Sequence, residues 1–393
     1  MNKPKQLMTN RELAQDLIRW RRELHQHPEL GMEEWRTSAF IEERLREIGV
    51  DDIITMAGTG KVALLRGTSE GPTVMLRADM DALPIGDGKA VEYASTIAGR
   101  AHLCGHDGHT AMLLGAAKLL KQRGIARGNV KLVFQPAEEI LRGAKALIAE
   151  GVLEQPKVEA AFGLHVSPNY SVGQIAVCPG PSYAYSDALN VTIEGKAGHA
   201  AYPHQGIDSI AIATQVVTAL QQVVSRMTNP LASAVVTIGK FHAGHARNVI
   251  APQVVMEGTI RTHDAAVRKQ VHSAITKIIT GICEAYGANS YLDIIPGARP
   301  VLNDESLIPH LREAVQHVPG TAALQMTEPS TAGEDFSYYT ELVPSLFFWL
   351  GVRNEQRGIV HGLHHPLFDL DEEALPIGAC LLAETALNYL NTN

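Results

Sequence analysis

Between Leu103 and His109 the chain reads LCGHDGH, which sets one thiol, two imidazoles and a carboxylate around two glycines. Cys104 and His106 are two residues apart, so in a loop both can turn toward one point. Further along, QPAEE places Glu138 beside Glu139, AAFGLH ends on His165, and HGLHHP supplies His361, His364 and His365. Thiolate, imidazole and carboxylate together suit Zn²⁺, or Mn²⁺ where oxygen and nitrogen dominate. Adjacent residues at a strand end cannot both point the same way. One of the Glu138–Glu139 pair therefore reads as a ligand and the other as a carboxylate placed to act as general base beside an activated water. A cysteine, two or three histidines and a glutamate exceed the needs of one tetrahedral ion holding a water. Two ions about 3.5–4 Å apart would use them all.

Taken singly, each residue has an ordinary reading. A lone buried cysteine is usually a small hydrophobe, which is the reading for Cys178, Cys283 and Cys380. A Glu-Glu pair is usually solvated, a single histidine is often a satisfied core residue, and His364-His365 could be a polar turn before Pro366. Their concurrence favours a metal centre.

These residues need a scaffold that brings distant segments to one place. The N-terminal part alternates helical and strand patterns. A Thr9–Glu12 capping box opens a helix through about Gln26, and a second helix runs from Glu33 to Ile48. Strands follow at KVALLRG, PTVMLRADMD, NVKLVFQP and EAAFGLHV, with helices at about Gly108–Gln122 and Gly143–Glu150 between them. Such alternation predicts a mostly parallel sheet with helices on both faces. Asp79 and Asp81, Glu138 and Glu139, and His165 then fall at the carboxyl ends of strands, where open α/β sheets carry their sites. CGHDGH lies just before a helix, whose unpaired N–H groups favour a thiolate.

Past Pro179-Gly180-Pro181 the texture changes. DALNVTIEG, a helix over Ile207–Arg226, SAVVTIGKF, QVVMEGTIRT, a helix from Asp264 to about Tyr286, and NSYLDIIP give the order β-α-β-β-α-β, that of a ferredoxin-like unit. The α/β pattern returns after Pro300, with a strand at SLFFWLGV and a last helix from about Glu372. The expected architecture is α/β: a catalytic domain of residues 1–184 and 300–393, interrupted by a domain of residues 185–299.

Bulk properties agree. A chain of 393 residues exceeds what one core usually serves. Its net charge of −8 argues against nucleic acid or an anionic membrane as main partner. No apolar run reaches the roughly 20 residues of a membrane helix, and MNKPKQLMTNRELAQ lacks a signal core. The 4 cysteines are scattered, so a cytoplasmic enzyme is expected.

HQHPELGMEE, LRADMDALP, HLCGHDGHTAMLLGAA, FQPAEE, EGKAGHAAYPHQGID, GTIRT and AGEDFSYY occur in this order from about Arg19 to Asn388. In these the chain resembles the M20 metallopeptidase superfamily, in its amidohydrolase branch of hippurate, N-acyl-amino-acid and auxin-conjugate hydrolases and N-acetyldiaminopimelate deacetylases. The resemblance implies two divalent metal ions per subunit, Zn²⁺ or Mn²⁺ ahead of Co²⁺ or Ni²⁺. Their ligands would be Cys104, His106, Glu139, His165 and His364, with Cys104 as the bridge. It implies Glu138 as general base, and His199 of KAGHAAYP as the group that stabilises the oxyanion, often from a partner subunit. Asn248 and Arg261 would hold the substrate carboxylate, a task that suits the planar fork of arginine. The inserted unit would be a lid that mediates homodimerisation or a higher homo-oligomer. Related enzymes have a histidine ligand where Asp79 stands; here Asp79 and Asp81 are expected to be hydrogen-bond partners of ligands, with Asp107 and His109 also outside the ligand set.

The reaction implied is hydrolysis of an N-acyl amino acid to a carboxylate and a free amino acid. An M20-type dipeptidase or carboxypeptidase is the neighbouring alternative. A non-catalytic metal- or ligand-binding protein is the alternative of another class, and no G-x-S-x-G stretch supports a serine hydrolase. Two stretches depart from the family pattern: Ile140-Leu141-Arg142, where relatives usually have a glycine-rich turn, and GDGKAVEYAS.

Overall fold

A computed structural model describes residues 11–392. Thr9 of the expected capping box lies outside them; the helix is described over Arg11–Gln26. The chain divides into two compact units. One runs to Ser182 and resumes at Val301–Glu328 and Asp335–Asn393; the other comprises Tyr183–Pro300 and Pro329–Glu334.

The first unit is built on an eight-stranded sheet. Its middle strands Asn129–Gln135, Thr73–Asp79, Val158–Ser171 and Ser345–Arg353 run parallel in that spatial order. Ile53–Met56 and Gly60–Arg66 extend one side in antiparallel fashion. On the other side Ile175–Val177 folds back antiparallel to Ser345–Arg353, and Gln325–Met326 pairs with it in parallel. The middle strands read as unbroken apolar runs because both faces are covered; all seven residues of Thr73–Asp79 are buried. Val74, Leu76, Val130, Leu132, Phe162 and Phe348 join a core shared with the helices Arg11–Gln26, Trp35–Ile48, His106–Arg123, Ile308–His317 and Ala374–Thr392. Alternate residues of the same strands point the other way. There the Phe347 ring packs tilted against Phe336 at 4.8 Å, just before the short helix Ser337–Thr340.

Two local devices aim the chemistry. The helix His106–Arg123 begins two residues before the expected Gly108, because Gly105 takes a left-handed φ of 94° and turns the loop directly into the helix. A Cβ at Gly105 would lie 2.4 Å from Val166 Cγ2, so only glycine lets the loop approach the strand carrying His165. After Gln135, Ala137 and Leu141 also adopt left-handed φ values of 53° and 55°, and a Cβ on Gly143 would overlap the Pro136 carbonyl.

The second unit has the β-α-β-β-α-β order that its sequence pattern implies. Its antiparallel sheet is ordered Ala234–Ala243, Gln253–Thr262, Tyr185–Glu194, Asn289–Pro296. Helices Ser209–Met227 and Ala265–Ala285 share one core with the sheet. Asp208 and Asp264 cap them, each accepting two backbone N–H bonds. Among the described residues no helix is long and apolar enough to cross a membrane.

Candidate metal centre

The first unit brings Cys104, His106, Glu138, Glu139, His165 and His364 together. Donor atoms of Cys104, His106 and His165 lie within 4.8 Å of one another, as do those of Cys104, Glu139 and His364. The two triads share the Cys104 sulfur, which stands 3.4 Å from His165 Nε2. His364 Nε2 is 3.5 Å from Glu139 Oε2. His106 Nε2 is 3.9 Å from Glu139 Oε1 and 4.0 Å from Glu138 Oε2.

Hydrogen bonds decide which imidazole nitrogen faces inward. His106 Nδ1 donates to the Asp81 carbonyl at 3.0 Å and to Asp81 Oδ1 at 3.2 Å. His165 Nδ1 donates to the Val166 carbonyl at 2.7 Å. Each ring therefore turns its Nε2 toward the cluster, the arrangement found where histidines bind metals. His106 Nε2 and Glu139 Oε1 are buried with no hydrogen-bond partner, a costly condition that a cation would relieve. A soft thiolate, imidazoles and a carboxylate with unsatisfied lone pairs fit divalent ions of the Zn²⁺ type.

Asp79, His106 and His109 form another close group, but the atoms of Asp79 and His109 are already committed. His109 Nδ1 donates to Asp79 Oδ1 at 2.6 Å, and its Nε2 accepts from Val166 N at 2.9 Å. Asp79 Oδ2 accepts from Arg77 Nη1 at 2.8 Å. Asp81 is also a support: besides holding His106, its Oδ2 accepts from Glu139 N at 3.0 Å.

Electrostatics point the same way. Burial, then the charge of Glu139, push the Cys104 thiol well above its usual value, so a metal must displace a proton to bind the sulfur. Burial drives His165 down to about 3, keeping its ring neutral. Burial also opposes charge on His106, but Asp79 and Cys104 outweigh it and hold that imidazole well above the usual range. Asp79 thus favours positive charge on His106, where a metal at Nε2 would take the place of a proton.

Behind the cluster lies a buried network absent from the sequence reading. Arg77, 1% exposed, donates to Gln135 Oε1 at 3.0 Å, to Asp79, and to Asp335 Oδ1 at 2.9 Å. Tyr339 OH donates to Gln135 Oε1, and Ala144 N to Asp335 Oδ2, both at 3.0 Å. On the helix side, Asp107 Oδ2 accepts from Arg21 Nε at 2.8 Å and His25 Nδ1 at 2.7 Å. The departing stretch GDGKAVEYAS joins this second network: Asp87 Oδ2 lies 3.1 Å from His25 Nε2, and Tyr93 OH donates to Asp369 at 2.6 Å. Of these partners, Arg77, Gln135, Asp335, Tyr339 and His25 fall within LRADMDALP, FQPAEE, AGEDFSYY and HQHPELGMEE.

The remaining candidates lie in the second unit. His199, on the short strand Gly198–His199, pairs with Val249, and Ala200 N donates to the Asn248 carbonyl, so His199 and Asn248 are neighbours. His199 Nδ1 accepts from Ala201 N at 3.1 Å, which leaves the ring proton on Nε2. Arg261, on the strand Gln253–Thr262, is half-buried and directs its guanidinium at neutral groups, the Thr259 hydroxyl and the Ile260 carbonyl. His361 and His365 do not join the cluster; they stack on each other at 4.5 Å.

Comparison with known proteins agrees with this arrangement. Residues 75–388 match the model of peptidase family M20/M25/M40. The chain is 43% identical to the N-acetyl-L-cysteine deacetylase of Bacillus subtilis, over 97% of this chain and 90% of that protein. It is 40% identical to the IAA-amino acid hydrolase ILR1-like 2 of Arabidopsis thaliana, over 95% and 85% respectively. A solved Bacillus subtilis structure, a dinuclear metal-binding peptidase of the M20 family, superimposes with a TM-score of 0.85 at 37% identity, covering 98% of this chain and all of that one. By the extent of these matches, the chain belongs to peptidase family M20/M25/M40.

Proposed function

We propose that this chain is a metal-dependent amidohydrolase that cleaves the amide bond of N-acyl amino acids to a carboxylate and a free amino acid. The observation that carries the reading is the pair of donor triads sharing Cys104, with Glu138 alongside. Cys104, His106, Glu139, His165 and His364 would hold two divalent ions, Zn²⁺ or Mn²⁺, with the sulfur common to both. When bound, such ions supply Lewis acidity that acidifies water and polarises the scissile carbonyl.

The chain's own residues do the rest. Glu138 is 6% exposed and faces the cluster. It takes one proton from the attacking water as the C–O bond forms, and delivers it to the departing nitrogen as the C–N bond breaks. His199 offers an Nε2 proton to the developing oxyanion, a contribution of about 3 kcal/mol for a well-placed donor. Arg261 pairs with the substrate carboxylate and Asn248 assists. Burial lowers the Arg261 pKa against the opposing charge of Asp187, and its hydrogen-bond partners are neutral, so a substrate anion would complete it. The homologous deacetylase and IAA-amino acid hydrolase support this substrate class. We further propose a cytoplasmic enzyme that forms a homodimer or higher homo-oligomer through the inserted unit.

The test is a panel of N-acyl amino acids and free dipeptides, assayed on protein stripped by chelator and reloaded with each metal. Turnover of N-acyl amino acids only after reloading is expected. Turnover confined to dipeptides would favour the peptidase reading, and metal uptake without turnover of either would favour a binding protein.

A further inference from the structure

Glu34 sits at the start of the helix Trp35–Ile48 but does not cap it. Its fully buried carboxylate reaches away from the helix, across 103 residues of sequence. Oε1 accepts from Ala137 N at 2.9 Å, and Oε2 accepts from Thr59 Oγ1 at 2.6 Å. Ala137 is the residue before Glu138 and has a left-handed φ of 53°. A non-glycine residue pays about 1–2 kcal/mol for that conformation, so something must hold it there. Neighbouring chain completes the grip: a Cβ on Gly31 would lie 3.0 Å from Ala137 Cα.

The next amide on the other side is held separately, because Glu139 N donates to Asp81. Glu138 is thus bracketed, with a buried carboxylate on the amide before it and another on the amide after it. Asp81 also holds His106 and so serves the ligands. Glu34 hydrogen-bonds none of the five donors; its contact is with the amide directly before Glu138.

We propose that Glu34, fixed by Thr59, is a positioning residue for the general base: its grip on Ala137 N sets the direction in which Glu138 leaves the strand. This rests on the reading of Glu138 as the base. A misplacement of about 1 Å at a reacting group can cost roughly a hundredfold in rate. Because Glu139 keeps its own anchor, metal binding stays intact when Glu34 is lost.

The experiment compares Glu34→Ala, Glu34→Gln and Thr59→Val for kcat, KM, metal affinity by equilibrium dialysis, and amide hydrogen exchange at Ala137. Glu34→Ala is expected to lower kcat roughly tenfold to a hundredfold with KM and metal affinity little changed, and to speed exchange at Ala137. Glu34→Gln, which keeps an acceptor for that amide, should recover most of kcat. Thr59→Val should fall between them, and it carries the test if Glu34→Ala does not fold. In a Glu138→Gln background the Glu34→Ala change should cost nothing further, since both act through one group. Unchanged kcat and Ala137 exchange in Thr59→Val, an additive loss in the double variant, or metal affinity falling in step with kcat would each overturn the proposal. Failure of the base assignment itself looks different: Glu138→Gln alone would then keep its rate.

Discussion

The two units present most of their candidate residues in opposite ways, with His364 of the first unit the exposed exception. In the first, the donors Cys104, His106 and His165 are buried and each is tied to a named partner. In the second, His199 and Asn248 are exposed and Arg261 rests on neutral atoms. A preformed cluster of lone pairs is costly without its cation, so its cost must be met by a rigid, fully bonded surround. Groups that meet a passing substrate need access instead, and a light hold suffices. The contrast separates metal binding from substrate binding, and variants can probe each side.

The largest effect belongs to the base. Glu138→Gln should keep its metal content yet lose roughly 10²- to 10⁴-fold in kcat, measured by steady-state kinetics alongside metal analysis; a near wild-type rate would remove Glu138 from the chemistry. Next comes the buried surround. Arg77→Met leaves Asp79 and Asp335 without their shared cation and should cost about 3–5 kcal/mol in urea unfolding, whereas a loss below about 1 kcal/mol would show that the network does not stiffen the site. Asp81→Asn should weaken metal binding by about 10- to 100-fold, because the carboxylate that orients His106 is gone. On the second unit, Arg261→Ala should raise KM about tenfold with metal affinity unchanged; a fall in metal affinity there would erase the contrast.

The smallest effect is a pH dependence within the second unit. Burial pushes the Asp187 carboxyl up, but hydrogen bonds from Arg268 at 2.7 Å and 2.8 Å, and from His272 at 2.8 Å, hold it below the usual value. A depressed carboxyl stabilises the fold above its unfolded value of about 4 and loses that contribution as pH falls through the lower folded value. Acid unfolding should therefore steepen below about pH 4 in the parent chain and less so in Asp187→Asn. Equal slopes would show that the pairing contributes nothing.

Much of this was legible in the sequence because the signals are local. Apolar runs located the middle strands, the β-α-β-β-α-β order of the second unit followed from alternation and helix starts, and the donors clustered at strand ends and in LCGHDGH. Boundaries moved where a cap was missed: the helix expected from Ile207 starts at Ser209 because Asp208 caps it. Beyond Asp79 and Asp81, the supports were not legible. Arg77 and Asp335 are 258 residues apart and Arg21 and Asp107 are 86 apart, and no period or turn rule links such pairs. Nor could local rules reveal that Ala137, Leu141 and His364 adopt left-handed backbone, since none is a glycine. At Leu141 this gives the family departure a physical meaning: a leucine occupies a conformation that glycine adopts without strain.

The central claim is that one sulfur serves two cations, and anomalous diffraction at the metal edge of loaded crystals tests it most directly. The account predicts two peaks, one among Cys104, His106 and His165 and one among Cys104, Glu139 and His364, each about 2.3 Å from the same sulfur. A lone peak, or metal held away from Cys104, would contradict it.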